Sequence, residues 1–335
     1  MAMRALVTGG TGFLGKKLAL ALLEKGWDVT ALGRQTAKGE ELRRLGIRFV
    51  QADLSDRDRV VDACAGQDAV FHCGARSAAW GPYAAFYESN VRGTEHVITG
   101  CLQHEVARLV HVSTPSVCFG ASHRLNVRES DPLPARQASS YARTKRLAEL
   151  AVLDACANGL PAVIVRPRAL FGPEDGSIIP RLIEAGLTRG IPLIDGGNAL
   201  IDLTYVDNAV QALLLCQSAP ASVCGSIYHI TNGEPIPFAE AARQLFGLLM
   251  LPVRYRRLPF AVAYAAAGMM ELAALLTPSG REPMLTRATA SMIGRSQTLD
   301  IGAARRELGY SPAVTVRDGM IAYAEWRERQ DGLKS

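Results

Sequence analysis

Two side chains in the middle of the sequence have the types and spacing that acid–base chemistry needs. Tyr141 and Lys145 are four residues apart, so an α-helix would place them on one face. A phenol has an ordinary pKa of about 10, which makes it a poor proton carrier at neutral pH. A neighbouring ammonium favours the phenolate and lowers that pKa. The pair therefore predicts a general acid–base at Tyr141 whose pKa is lowered by Lys145.

A second hydroxyl is expected to hold the oxygen on which Tyr141 acts. Ser113 and Thr114 follow an apolar run and stand at the end of a predicted strand. In a parallel sheet the carboxyl ends of the strands face the ligand, so either hydroxyl could reach the substrate. A local hydrogen bond in a turn is the alternative interpretation for each of them.

A glycine-rich loop near the start of the sequence has the form of a dinucleotide site. Gly9, Gly12 and Gly15 are spaced as GxxGxxG between a short apolar strand and an apolar helix. Glycine at these places permits a sharp turn, close approach of a pyrophosphate and tight packing of helix on strand. A tight turn without a ligand is the alternative. The loop residues predicted to contact the cofactor are Gly9, Thr11, Gly12, Phe13, Leu14 and Gly15.

The residue after the second predicted strand indicates which dinucleotide binds. NAD sites usually have an Asp or Glu there, which binds the ribose 2′-hydroxyl. This sequence has Arg34 instead, and a guanidinium can pair with the 2′-phosphate of NADP. We therefore predict NADP as the cofactor, with NAD as the alternative. An arginine that is simply solvated is the other interpretation.

The elements that must position these residues alternate between strand and helix. Apolar runs predict strands over residues 4–8, 27–32, 48–51, 69–73, 109–113 and 162–166, and over 226–231 for a strand that returns to the same sheet. Helical periodicity predicts a helix over 15–26. Strands that are apolar throughout are buried on both faces. The predicted fold is α/β, a Rossmann-type doubly wound parallel sheet with a smaller, mostly helical C-terminal substrate lobe.

At 335 residues the chain is long enough for two units. We predict a dinucleotide-binding domain over residues 1–166, with returning segments near 204–232. An interleaved substrate-binding lobe is predicted over residues 167–330. Ligands are expected at the carboxyl ends of the strands, where the two units meet.

Composition and charge exclude several classes of protein. Hydrophobic residues make up 48% of the chain and charged residues 21%, as in an ordinary globular protein. The formal net charge is only +5 and the basic residues are scattered, so no nucleic acid partner is expected. The seven cysteines form no CxxC pair, which favours buried thiols over disulfides or a metal site. Since the first apolar strand leaves no room for a leader, we expect a cytoplasmic protein.

One apolar stretch, residues 260–276, stands apart in the second half of the sequence. It contains Glu271 and is marginal for a membrane span, so no integral membrane segment is expected. The stretch could line a slot for a long apolar substrate or make a peripheral membrane contact. A helix packed inside the smaller lobe is the alternative.

Several motifs occur in an order that resembles a known family. They are the glycine loop, Asp53-Leu54, Cys73-Gly74-Ala75, Asn90 and the Tyr141–Lys145 pair, as in the extended short-chain dehydrogenase/reductases of the NAD-dependent epimerase/dehydratase superfamily. Residues 79–83, 113–117, 166–172 and 204–208 resemble its 3β-hydroxysteroid dehydrogenase branch, and most closely the bacterial 2-alkyl-3-oxoalkanoate (β-keto acid) reductases. The segment after Val117 departs from that pattern.

The resemblance implies a role for each matching residue. Tyr141 would be the general acid–base, Lys145 would bind the nicotinamide ribose, and Thr114 would be the catalytic hydroxyl, with Ser113 as the alternative. Asn90 would lie on a helix that supports the site, with a helix cap as the alternative. Further cofactor contacts are implied at Asp53, Leu54, Cys73, Gly74, Ala75 and Pro167.

The implied function is an NADP(H)-dependent oxidoreductase that reduces a ketone or oxidises a secondary alcohol on a large hydrophobic substrate. A 2-alkyl-3-oxo acid is the first candidate, and a 3β-hydroxysteroid is the alternative. A nucleotide-sugar epimerase or dehydratase is another alternative, although such dehydratases carry an acidic pair where Pro115 and Ser116 stand here. A non-catalytic NADP-binding redox sensor is the alternative from a different class. Homodimers are common in the family, and the sequence leaves open whether this chain forms one.

Overall fold

The computed structural model of the protein describes residues 2–277 and 282–332. Residue 1 and residues 278–281, which belong to the predicted domain ranges, lie outside the described residues. The strands are β1 (Arg4–Thr8), β2 (Asp28–Gly33), β3 (Arg48–Gln51), β4 (Ala69–His72), β5 (Arg108–Val112), β6 (Arg124–Val127), β7 (Ala162–Pro167), β8 (Leu170–Phe171), β9 (Ile191–Ile194), β10 (Leu200–Ile201), β11 (Thr204–Tyr205), β12 (Ile227–Ile230), β13 (Ile236–Pro237), β14 (Tyr255–Leu258) and β15 (Gln297–Leu299).

The α-helices of the described residues follow the same chain order. They are α1 (Phe13–Glu24), α2 (Thr36–Arg44), α3 (Arg57–Ala63), α4 (Tyr83–Tyr87), α5 (Gly93–Gln103), α6 (Ser140–Ala157), α7 (Ile178–Thr188), α8 (Val206–Ser218), α9 (Phe238–Leu248), α10 (Phe260–Leu276), α11 (Arg287–Gly294), α12 (Gly302–Leu308) and α13 (Val316–Gly332). A π-helical turn, Glu88–Arg92, joins α4 to α5, and a 3₁₀-helix, Pro115–Cys118, follows β5. None of the described helices is both long and apolar enough to cross a bilayer.

Seven parallel strands form the main sheet, in the order β12-β7-β5-β4-β1-β2-β3. The chain winds outward from β1 in both directions, so the order reverses between β1 and β4. Ligands of such sheets bind at the carboxyl ends of the strands beside this reversal. The sheet confirms the predicted doubly wound fold, including the return of the strand near 226–231.

Alternate residues of the central strand bury into two separate cores. Ala5 and Val7 of β1 pack with α1, α8 and α12 on one face, whereas Leu6 packs with α3, α5 and α6 on the other. A strand that is apolar on both sides needs helices on both sides, because its side chains alternate between the faces. This packing holds the carboxyl ends of the strands level along one edge.

The smaller lobe contains a four-stranded sheet in the order β13-β10-β15-β6, together with most of the later helices. The segment after Val117, which the sequence motifs left unassigned, supplies β6 and pairs in parallel with β15. It therefore belongs to the smaller lobe although it precedes residue 166. The division of the chain at residue 166 stays a prediction.

Most predicted boundaries are correct to within one or two residues. The helix predicted over 15–26 begins at Phe13 and ends at Glu24. It starts earlier because Gly12 takes an extended conformation as the N-cap, so helical geometry begins directly after it.

Candidate active site

The glycine loop lies between β1 and α1 and packs against the segment that follows β4. Gly9 has a φ of 66°, and a Cβ added to it would lie 2.7 Å from the Gly74 Cα. A Cβ on Gly15 would collide with the carbonyl oxygen of Gly9. Gly12 caps α1 without a side chain, so the first amides of the helix are left for a ligand. Side chains at these glycine positions would fill the loop, and their absence leaves room for the pyrophosphate of a dinucleotide.

A chain of hydrogen bonds next to the glycine loop joins β1 to the π-helical turn that contains Asn90. The Gly74 amide donates to the Thr8 hydroxyl, which lies 2.7 Å from Nδ1 of His72, and Nε2 of His72 lies 3.0 Å from the Thr94 hydroxyl. Because the Thr94 hydroxyl donates to the carbonyl of Asn90, it accepts from His72. Burial lowers the pKa of His72 to about 3, so the ring is neutral and carries its proton on Nε2. Sequence reasoning missed this chain, although a histidine inside an apolar strand could have indicated it.

Asn90 lies inside the π-helical turn and is buried. Its Oδ1 accepts from the amide of Arg76 at 2.7 Å, and its Nδ2 donates to the carbonyl of the same residue at 3.1 Å. Nδ2 also donates to the Thr144 hydroxyl on α6 at 3.0 Å. Asn90 therefore fastens the segment after β4 to α6 and does not cap a helix. Such turns of π-helix are frequent at functional sites.

Helix α6 carries the Tyr141–Lys145 pair, and Ser139 caps it by accepting from the amide of Ala142 at 3.1 Å. The Thr114 hydroxyl lies close enough to the phenol of Tyr141 to influence its pKa. Burial raises the pKa of Tyr141 and the nearby Thr114 hydroxyl acts against that rise, leaving the pKa above its ordinary value. The predicted lowering of the Tyr141 pKa is therefore not found in this structure, because burial outweighs every opposing effect on the phenol.

The Lys145 ammonium is directed toward the end of β5. Nζ donates to the Val112 carbonyl at 2.7 Å and lies 3.3 Å from Nε2 of His111. The pKa of Lys145 is lowered to about 8 by burial, although Glu149 and Cys73 act to raise it. Burial also holds the pKa of His111 well below its ordinary value, so Nε2 accepts from the ammonium. His111 is a second residue that sequence reasoning missed.

The two candidate hydroxyls after β5 have different partners. Ser113 donates to Oε1 of Glu149 at 2.6 Å, and Glu149 also accepts from Nε and Nη2 of Arg166, each at 2.7 Å. Burial acts to raise the pKa of Glu149, but the hydrogen bonds and charge of Arg166 outweigh it and keep that pKa low. Thr114, in contrast, donates to the Ser116 hydroxyl at 3.1 Å and lies close enough to Tyr141 to influence its pKa. The geometry therefore favours Thr114 over Ser113 as the hydroxyl beside the phenol.

The end of β2 brings Arg34 next to the glycine loop. A Cβ on Gly33 would lie 2.6 Å from the Thr11 hydroxyl, which shows how closely the two segments pack. Arg34 is exposed, and its guanidinium lies 3.4 Å from the Asp53 carboxylate. Burial acts to raise the pKa of Asp53, but hydrogen bonds from Ser55 and the charge of Arg34 hold it below its ordinary value. Arg34 and Asp53 thus share one surface beside the loop.

The remaining predicted cofactor residues line the same edge of the sheet. Cys73 and Ala75 flank Gly74 directly after β4, and Leu54 is buried beneath that segment. Pro167 ends β7 beside Ile230 of β12. The structure therefore brings the predicted residues to the carboxyl ends of β1, β2, β3, β4, β5 and β7.

A glycine loop at the switch point of a doubly wound sheet, followed by a paired tyrosine and lysine, defines a nucleotide-dependent oxidoreductase. The chain belongs to the NAD dependent epimerase/dehydratase family, whose sequence profile matches residues 5–231. It is an oxidoreductase of the extended short-chain dehydrogenase/reductase type and uses a nicotinamide cofactor.

Relatives and solved structures agree with this assignment. The chain is 38% identical over 323 residues to a 2-alkyl-3-oxoalkanoate reductase of Stenotrophomonas maltophilia, covering 95% of this chain and 97% of the relative. It is 36% identical over 294 residues to a 3beta-hydroxysteroid-dehydrogenase/decarboxylase of Arabidopsis thaliana, covering 84% and 67%. A dTDP-glucose 4,6-dehydratase of Streptomyces venezuelae, solved with NAD bound, superposes with a TM-score of 0.76 at 26% identity, covering 99% and 98%.

Proposed function

We propose that the protein is an NADPH-dependent ketoreductase that acts on a 2-alkyl-3-oxo acid. The observation that carries the proposal is the closeness of the Thr114 hydroxyl to the Tyr141 phenol, whose pKa it influences, so that one ketone oxygen could bind both hydroxyls. The similarity to a 2-alkyl-3-oxoalkanoate reductase over almost the full length of both chains supports the substrate class. A cytoplasmic location belongs to the same proposal, because seven free thiols suit a reducing compartment.

Each residue of the site has one part in the reaction. The nicotinamide, when bound, supplies the hydride that reduces the ketone carbon. Thr114 and Tyr141 hold the ketone oxygen, and Tyr141 gives its phenolic proton to that oxygen as the alcohol forms. The raised pKa keeps Tyr141 protonated at neutral pH, which suits a proton donor. Two of the three Nζ protons of Lys145 are engaged by Val112 and His111, which leaves one for the ribose.

The matched pair of substitutions Tyr141→Phe and Tyr255→Phe tests the proton donor. Oxidation of NADPH would be followed by absorbance with a 2-alkyl-3-oxo acid and, separately, NADP reduction with a 3β-hydroxysteroid. Loss of the phenolic proton should lower turnover of Tyr141→Phe by about 100-fold or more while NADPH binding persists. Tyr255, on β14, should tolerate the change. Near-normal turnover in Tyr141→Phe would refute the mechanism.

The preference for NADPH rests on Arg34. A guanidinium can bind a 2′-phosphate through two hydrogen bonds, and the exposed Arg34 lies beside the glycine loop. Arg34→Ala should weaken NADPH binding by about tenfold and leave NADH binding unchanged, as measured by fluorescence titration. Arg48, which pairs with Asp28 on the neighbouring strands, is the matched control. Equal losses for both dinucleotides would contradict the preference.

A 3β-hydroxysteroid is the second candidate substrate, favoured by the 36% identity to a plant 3beta-hydroxysteroid-dehydrogenase/decarboxylase. Turnover of the steroid without turnover of the keto acid would select it. Binding of NADPH with no turnover of either would instead support a nucleotide-sugar substrate or a redox sensor. The Tyr141→Phe variant separates those two, because a sensor needs no proton donor.

A further inference from the structure

Helix α10 turns a long apolar face away from the protein. Met269, Leu275 and Leu276 are 68%, 72% and 77% exposed. One stripe on this face has alternate spacings of three and four residues, which places its members in line along the helix. The stripe consists of Val262, Ala265, Met269, Leu272 and Leu276. At 1.5 Å per residue it extends about 20 Å.

The opposite face of α10 carries two buried alanines and the only charge of the helix. Ala263 and Ala267 are buried against Ile194 and α11. The Glu271 carboxylate accepts from the amide of Arg287 at 2.8 Å and from its Nε at 2.7 Å. The charge of Glu271 is therefore neutralised on the α11 side, and the outward stripe is entirely uncharged. A helix stripe that is both exposed and free of charge is unusual for a surface in water.

The chain just before α10 is basic. Arg254, Arg256 and Arg257 are exposed, and none of them forms an ion pair with a described acid. Arg256 and Arg257 lie on β14, which ends two residues before the helix. The acids beside α10 already have partners, since Asp195 pairs with Arg295 at 3.2 Å and Glu271 with Arg287. Three arginines without an ion-pair partner among the described residues therefore directly precede the apolar helix in the chain.

We propose that α10 and the arginines of residues 254–257 form a docking surface for an anionic lipid bilayer, with the helix lying in the plane of the membrane. Large apolar side chains enter the boundary of the acyl chains, and the adjacent guanidinium groups pair with anionic headgroups. A second copy of this chain fits less well. Through this same face it would present the same unpaired arginines, whereas the acids of the face that the structure describes, Asp195 and Glu271, already have partners.

The docking surface goes beyond the proposed function, because the reaction at Tyr141 does not require it. Membrane binding would bring the enzyme close to its substrate, because a substrate with long alkyl chains also partitions into the bilayer. Helix α10, which would make the contact, belongs to the smaller lobe. The surface and the substrate are independent and can be tested separately.

Flotation of the full-length protein with lipid vesicles tests the surface. We expect the protein to float with vesicles that mix phosphatidylcholine and phosphatidylglycerol, to remain behind with phosphatidylcholine alone, and to be released by high salt. The double substitution Met269→Lys with Leu272→Lys should abolish flotation. Arg256→Glu with Arg257→Glu should weaken binding by about tenfold or more. Leu102→Lys, at an exposed position of α5, is the matched control and should float like the parent.

Any other outcome of the flotation experiments contradicts the proposed docking surface. Failure of the parent protein to float with anionic vesicles would refute it, as would equal loss in Leu102→Lys. A dimer in light scattering that dissociates in the Met269→Lys, Leu272→Lys variant would assign the face to a second copy of the chain. Unchanged melting temperature and NADPH binding in every variant show that the fold is intact, so a failure here is distinct from a failure of the proposed reaction.

Discussion

Replacement of Glu149 by Gln should destabilise the protein strongly, because the carboxylate is the centre of a buried ion pair. Glu149 is fully buried and accepts hydrogen bonds from Ser113, Arg146 and Arg166. Arg166 is only 1% exposed, so loss of its partner leaves a guanidinium without compensation. Removing one member of a buried pair typically costs about 3–5 kcal/mol. For a chain of 335 residues, a loss of that size lowers the melting temperature by roughly 4–7 °C.

Glu95→Gln is the matched control for this experiment. Glu95 also pairs with an arginine three residues away on a helix, Arg92, at 3.1 Å, but both side chains are exposed. Exposed pairs contribute little, so the control should melt close to the parent. Thermal unfolding at neutral pH measures both variants. Equal melting temperatures for Glu149→Gln and Glu95→Gln would refute the assignment of stability to the buried pair.

The same pair predicts how stability depends on pH. The pKa of Glu149 is lowered in the folded protein by Arg166, against the opposing effect of burial. A carboxyl whose pKa is lowered on folding stabilises the protein above its ordinary pKa of about 4.5 and loses that effect as the pH falls below it. The difference in melting temperature between the parent and Glu149→Gln should therefore be largest near neutral pH and shrink in acid.

Residues around the cofactor site give further testable outcomes. For ketone reduction, kcat/KM should fall as the pH rises above about 8, because the Lys145 ammonium loses its proton there; a profile that is flat through alkaline pH would contradict this. Asn90→Ala removes three hydrogen bonds through which Asn90 joins Arg76 to α6, and steady-state kinetics should show a loss in kcat/KM of about tenfold or more. Unchanged kinetics would mean that the reaction does not need these hydrogen bonds. Gly15→Ala places a methyl group against the loop and should raise the Kd for NADPH in fluorescence titration by about tenfold, whereas Gly247→Ala, with open space around it, should not.

Patterns of local origin were sufficient to predict the fold and part of the site. The alternation of apolar runs and helical periodicity predicted the parallel sheet, because burial on both faces selects apolar strands wherever they pair. The spacing of Gly9, Gly12 and Gly15 predicted a tight loop, since the steric demands of the turn act over neighbouring residues. Each of these features depends on residues within a few positions of one another.

The hydrogen-bond partners of the candidate catalytic groups were decided by the tertiary structure. The strand register places Thr8, His72 and His111 in one row across β1, β4 and β5, which no local pattern contains. Similarly, Ser113 and Thr114 are adjacent and chemically alike, and the packing of α6 makes Glu149 the partner of Ser113 and places the Tyr141 phenol near Thr114.

The pKa values were also a matter of tertiary packing. Lys145 and Tyr141 stand four residues apart as predicted, yet the ammonium is directed to Val112 and His111 while burial governs the phenol. The sequence by itself determined the strands, the glycine loop and the helix that carries Tyr141 and Lys145, because short-range sterics and periodic burial act along the chain. Only the tertiary structure decided hydrogen-bond partners and proton affinities, because these depend on distances and burial among residues far apart in the sequence.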